Sequence, residues 1–101
     1  MLQEVEPEEL KIDKGTKLIF FHTPLCGTCT EARKMLNIAL EAVSAEIPAY
    51  ACDLNFSPGL AERWKIESVP CLLLFTDGTI TERVYAFRSV SDLYQLLQKK
   101  M

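Results

Sequence analysis

The sequence has no excess of positive charge. Against 14 Asp and Glu stand 11 Lys and Arg, for a formal net charge of −3 and a pI of about 5.1. Bulk electrostatics therefore give no reason to expect a nucleic-acid partner or an acidic membrane surface. No apolar run approaches the roughly 18 residues that a membrane-spanning helix needs. Met1 to Glu9 is acidic where a secretory leader would be basic and then apolar, so a cytoplasmic location is expected. Glycine and proline are few, at 4 and 5, and no repeat, linker or low-complexity stretch divides the chain. One domain over 1–101 is expected, with 1–16 as a short lead-in to a modest core. Histidine occurs once, at His22, and the four cysteines are too sparse for a secreted disulfide framework.

Hydrophobic spacing assigns the elements. Glu4 to Asp13 is acidic and poor in core residues, and a partly helical lead-in is expected over Pro7 to Ile12, with Pro7 at the helix start. Lys17 to Phe21 is a short strand whose continuous apolar pattern suits cover on both faces. From Thr30 to about Ala45, Ala32, Leu36, Ala39 and Val43 recur at helical spacing. Met35 and Leu40 widen that stripe, while Arg33, Asn37 and Glu41 fall opposite it. Pro48 ends the helix. Ala49 to Leu54 is a second strand, and Ser57-Pro58 opens a helix bearing Leu60, Ala61 and Trp64. Cys71 to Phe75 is a third strand, Asp77-Gly78 a hairpin turn, and Thr79 to about Phe87 its antiparallel return. Ser89 to Asp92 offers capping-box chemistry for a last helix with Val90, Leu93, Tyr94 and Leu97 on one face. The order β-α-β-α-β-β-α with right-handed crossovers predicts an α/β fold, a mixed four-stranded sheet with helices on both faces.

Cys26 and Cys29 stand at i and i+3 where a helix begins, just after the first core strand. In a βαβ setting that spacing indicates a thiol–disulfide site. The competing readings are two structural thiols or half of a zinc site. Zinc would need two further ligands, which only Cys52 and Cys71 converging in space would provide. Both are expected instead as small buried hydrophobes, with a third thiol near the site as the other reading of Cys71. Trp64 is expected in core or groove packing, and the acidic lead-in as solvated surface.

Cys26-Gly27-Thr28-Cys29 after the first core strand, Ser68-Val69-Pro70 before the hairpin, and the spacing from Pro58-Gly59 through Val69-Pro70 to Phe75-Thr76-Asp77-Gly78 resemble the thioredoxin family. The match runs from about Lys17 to the carboxyl terminus. It implies the thioredoxin fold and a thiol–disulfide oxidoreductase that acts on protein disulfides, is served by an upstream reductase and works as a monomer. No metal and no cofactor beyond the redox-active Cys26–Cys29 disulfide are implied. Cys26 would meet unpaired N–H groups and the positive end of the helix dipole, which favour its thiolate. It would attack the substrate, and Cys29, one turn later, would resolve the mixed disulfide. Gly27 and Thr28 would border the substrate, Gly27 admitting a close approach. In the family the proline matching Pro70 is cis and faces the cysteines, and Val69 would offer its backbone to substrate.

The chain departs from the family at several of these places. Leu25 stands where Trp is frequent, and Gly-Thr replaces Gly-Pro between the cysteines. The buried acid often found six residues before the first cysteine is Phe20 here, and its companion lysine is Ala51. The groove glycine is Ala86, followed by Phe87. His22, four residues before Cys26, would tune the thiolate or relay a proton in place of the acid; filling an aromatic position beside the site is the competing reading. Two other functions stay open. One is a glutaredoxin-like protein using a low-molecular-weight thiol or an iron–sulfur cluster, although no basic cluster marks the groove. The other is a non-catalytic binding or chaperone module, consistent with the lost acid and lysine.

Overall fold

Leu18 to Phe21 and Cys71 to Phe75 are fully buried, residue after residue, which requires that their strands be covered on both faces. The computed structural model, describing residues 2–6, 10–43, 47–56 and 58–99, shows how. Strand β2 (Thr16–His22) lies between β3 (Ala49–Asp53), parallel to it, and β4 (Cys71–Thr76), antiparallel to it. β5 (Thr79–Val84) returns antiparallel to β4. A fifth strand, β1 (Gln3–Glu4), pairs parallel with β3 at the edge, giving the order β1-β3-β2-β4-β5.

That fifth strand corrects the expected four. The segment before β2 is bound to the sheet because Leu2 is buried, its N–H donates to Asn37 Oδ1 (3.1 Å), and Val5 N–H donates to the Ala51 carbonyl (3.0 Å). Of the helix expected over Pro7 to Ile12, residues 7–9 lie outside the described residues, and 10–12 are not helical. Leu10 and Ile12 instead pack under the sheet.

Alternation along the strands sorts the core into two layers. Leu18, Phe20, Leu72 and Leu74 face α1 (Gly27–Ala42) and α3 (Val90–Lys99), meeting Ala32, Leu36, Ala39, Leu93 and Leu97. Ile19, Phe21, Leu73 and Phe75 point to the other face, against Leu60, Ala61 and Trp64 around the short helix α2 (Pro58–Arg63). Trp64 is thus a packing residue, edge-on to Phe21 and Phe75 at 5.9 and 5.0 Å between ring centroids.

Element ends follow local chemistry. α1 begins three residues earlier than its apolar stripe suggests, because Cys26 caps it. β3 stops at Asp53, whose Oδ1 accepts from Asn55 N–H (2.9 Å) and starts a 3-10 turn. Ser57, expected to cap α2, lies outside the described residues. α2 closes through Ile66 N–H to Ala61 O (2.8 Å) and Lys65 N–H to Glu62 O (3.4 Å), with Lys65 at φ 54°; this is a Schellman ending with lysine where glycine is usual. Asp77 and Gly78 both have positive φ, as a two-residue I′ hairpin requires. α3 is capped by Ser89, whose Oγ accepts from Asp92 N–H (3.0 Å). The expected fourth strand ends at Val84 rather than Phe87, since Phe87 turns edge-on against Phe20 (5.8 Å).

Leu36 is fully buried between α1 and the sheet, whereas Leu25 is 99% exposed. Leu36→Ala should cost about 3 kcal/mol and Leu25→Ala under about 0.5 kcal/mol; paired denaturant titrations check the contrast.

Candidate functional site

The site grows from the junction of β2 and α1. Past His22 the chain turns through Thr23 to Leu25, and Cys26 N–H donates to the Thr23 carbonyl (3.2 Å). Cys26 is then the N-cap of α1, in extended backbone at φ −96°, ψ 102°. Its Sγ accepts from Cys29 N–H at 3.1 Å, the place a Ser or Asp oxygen commonly takes. Cys26 and Cys29 are joined in a disulfide, with Cα atoms 5.3 Å apart. Cys26 is half-exposed, while Cys29 is 4% exposed and belongs to the core. One sulfur faces visitors and the other is held beneath it.

The expected neighbours fall on two sides. The Val69 carbonyl oxygen lies 3.8 Å from Cys26 Sγ, and the Val69–Pro70 peptide bond is cis. Thr28 Oγ1 is 3.4 Å from the same sulfur. Thr28 and Pro70 border a groove of about 340 Å³ whose walls include Met35, Tyr85 and Phe87. Gly27 is exposed at the first helical position, and a Cβ placed there would meet nothing within 4 Å. Its smallness serves no internal contact.

His22 lies on the other side, across a cavity of about 160 Å³ that Cys26 and Cys29 also line. Its Nε2 is 3.2 Å from Glu4 Oε1, and Glu4 is also ion-paired with Arg33. Neither Glu4 nor Arg33 was a sequence candidate. The acidic lead-in looked like solvated surface and Arg33 like the outer face of a helix; only the pairing of β1 with β3 brings Glu4 to a histidine 18 positions away. Asn37, also expected to face solvent, holds Leu2.

Tyr85 is a second residue that spacing did not reveal. Glu67 N–H donates to its hydroxyl (3.1 Å), the hydroxyl donates to the Lys65 carbonyl (3.4 Å), and Arg83 Nη1 reaches that same carbonyl (3.1 Å). The loop leading into Val69-Pro70 is thereby tied to the strand beside it.

Cys52 and Cys71 sit in the layer opposite the disulfide, each register-paired with Phe21 on its own side of β2. They cannot converge with Cys26 and Cys29 through the sheet. Among the described residues no three His, Cys, Asp or Glu side chains gather as a metal set. Burial pushes the Cys71 thiol up from 9.0 to about 11, against a partial pull downward from the Tyr85 hydroxyl and the Arg83 charge. A raised folded-state value stabilises the fold below the unfolded value and loses that contribution as pH rises. Relative to Cys71→Val, the protein should therefore lose on the order of 2 kcal/mol between pH 9.0 and about 11, measurable by denaturant titration at each pH.

The positions where the family carries its acid and lysine, Phe20 and Ala51, are register partners on adjacent strands and are both fully buried. Both charges are therefore absent together, so neither leaves the other unpaired between these strands. The sequence model of the family, Thioredoxin, matches residues 4–99. The chain is 43% identical over 100 residues to "Thioredoxin-like protein YusE" of Bacillus subtilis (strain 168), covering 98% of this chain and 93% of that protein. It is 36% identical over 104 residues to a thioredoxin of Chlamydia trachomatis serovar D, covering 98% of each. A thioredoxin of Staphylococcus aureus (strain Mu50) is 28% identical over 95 residues, covering 90% of this chain and 88% of that protein.

Proposed function

We propose that this chain, which belongs to the thioredoxin family and is a thiol–disulfide oxidoreductase, attacks disulfides in protein substrates with Cys26 and resolves the mixed disulfide with Cys29. The observation that carries this reading is the difference between the two sulfurs at the start of α1, one half-exposed at the cap and one 4% exposed a turn below.

In the reduced protein the Cys26 thiolate meets the substrate first, favoured by the same N–H group that contacts its sulfur in the disulfide. It attacks one substrate sulfur, and the other leaves as a thiolate. Cys29 then attacks Cys26 Sγ, which forms the intramolecular disulfide and releases the second substrate thiolate. Two electrons pass to the substrate, and an upstream reductase returns them to the cysteine pair. The reverse sequence, starting from the Cys26–Cys29 disulfide, oxidises a substrate dithiol with the same residues.

A polypeptide substrate suits the surroundings. Leu25 is 99% exposed beside Cys26, and the groove at Pro70 is walled by Met35, Tyr85 and Phe87. Val69 presents backbone beside the reactive sulfur, Gly27 and Thr28 leave room over it, and Pro70 shapes the approach. Glu31 in the same groove disfavours an acidic low-molecular-weight thiol. The whole chain acts as one monomeric domain, in the cytoplasm, with the Cys26–Cys29 pair as its redox group.

Purified protein supplied with dithiothreitol should reduce insulin disulfides. Cys26→Ser should abolish that turnover, and Cys29→Ser should accumulate a mixed disulfide visible by mass spectrometry. No turnover from a protein whose two thiols still alkylate would overturn the reading. Redox titration of the pair separates the directions: a potential near about −270 mV fits a reductant, one near about −120 mV an oxidant.

A further inference from the structure

Cys29 must lose a proton before it resolves a mixed disulfide, and the core beneath it holds nothing to receive one. Phe20 and Ala51 are apolar, and among the described residues no polar or charged side chain is buried. The cavity of about 160 Å³ that Cys29 lines is a different matter, because His22, Thr30 and Arg33 line it too. That volume admits several waters, each with a share of roughly 30 Å³. The hydroxyls stay neutral and the guanidinium stays charged near neutral pH. Once Cys26 is tied up in a mixed disulfide, His22 is the lining group able to change its protonation there.

His22 is held from outside its own strand. Nε2 lies 3.2 and 3.4 Å from the two Glu4 oxygens, and the ring lies 6.0 Å from that of Phe20 with 19° between their planes. Glu4 is fixed in turn by Arg33 and by the pairing of β1 with β3. Asp53, opposite His22 on β3, is the other charged neighbour, and its Oδ1 accepts from Asn55 N–H. A carboxylate on Nε2 keeps the proton there and leaves Nδ1 as the basic nitrogen.

We propose that Glu4, carried by the edge strand β1, is a positioning residue that sets His22 as the proton acceptor for Cys29. This rests on Cys26 as nucleophile and Cys29 as resolving thiol. With substrate bound as Cys26–S–S–R, the Cys29 proton passes through cavity water to His22 Nδ1. The Cys29 thiolate attacks Cys26 Sγ, the Cys26–Cys29 bond forms, and the bond to R–S breaks with its electron pair leaving on that sulfur. The imidazolium then gives its proton to the departing thiolate or to solvent. The substrate sulfur is reduced, the cysteine pair is oxidised, and no further reagent is consumed.

The test isolates the resolving step. The full chain, reduced and then loaded at Cys26 with thionitrobenzoate, releases that coloured thiolate as Cys29 attacks, and the rate is followed from about pH 5 to about pH 10. His22→Gln should slow release about tenfold or more at pH 7 and converge with the parent at the alkaline end, where Cys29 ionises unaided. Glu4→Gln should give a rate at pH 7 between those of the parent and His22→Gln and converge with both at the alkaline end, because the ring has lost the carboxylate that orients it. Superimposable profiles, or slowing by one constant factor at every pH, would overturn the proposal. The Glu4 side chain is 53% exposed, so Glu4→Gln decides alone if His22→Gln does not fold. A Cys26 that takes no label would overturn the nucleophile assignment and this inference with it; a labelled Cys26 with unchanged profiles would overturn this inference only.

Discussion

The sulfur of Cys26 caps the start of a helix. By accepting the Cys29 N–H at 3.1 Å, it takes the role of a cap for α1 and makes the helix start and the reactive centre one object. The first-turn N–H groups, which no intrahelical carbonyl satisfies, point to where negative charge on that sulfur would sit. This arrangement holds only while α1 is pressed on the sheet, through Ala32, Leu36 and Ala39, so that Cys29 remains in the core and Cys26 at the rim. Packing farther along α1 thus keeps one sulfur at the rim and the other in the core.

The sheet's two faces divide the remaining chemistry. Strand parity puts Phe20 under the disulfide and Phe21 with Cys52 and Cys71 in the opposite layer. Two thiols are therefore available for exchange, and two are kept apolar neighbours in the core. Arg83, paired with Leu73 in β5, and Tyr85, just past the end of that strand, secure the turn after α2 and with it the approach to cis Pro70. The disulfide then sits between a groove walled by Met35, Tyr85 and Phe87 on one side and the cluster of His22, Glu4 and Arg33 on the other.

Much of the fold was legible because its patterns are local. Continuous apolar runs marked β2 and β4, a stripe of period 3.6 marked α1, and Asp77-Gly78 marked the hairpin. The edge strand was not legible: Gln3-Glu4 carries two polar residues and no alternation, and it is a strand only because β3 offers an open edge and Leu2 finds a pocket near Asn37. Strand and helix ends shifted for related reasons, as where Cys26 caps α1 early or Phe87 leaves the sheet to pack on Phe20. The cysteines, Val69 and Pro70 were visible as motif; Glu4, Arg33 and Tyr85 were not, since each acts through a partner 18 or more positions away.

By itself, the sequence determined an α/β chain with a Cys-x-x-Cys at a helix start and a Val-Pro ahead of a hairpin, because propensity, periodicity and motif spacing act over a few neighbouring residues. It also determined that the family's buried acid and lysine are absent, since Phe20 and Ala51 occupy their places. The tertiary structure alone decided that those two residues are adjacent, that Cys71 faces away from the disulfide, and that an acidic residue near the amino terminus stands beside His22. Those facts are set by register and by which edge of the sheet is free, and register is a property of strands that meet only once the chain has folded.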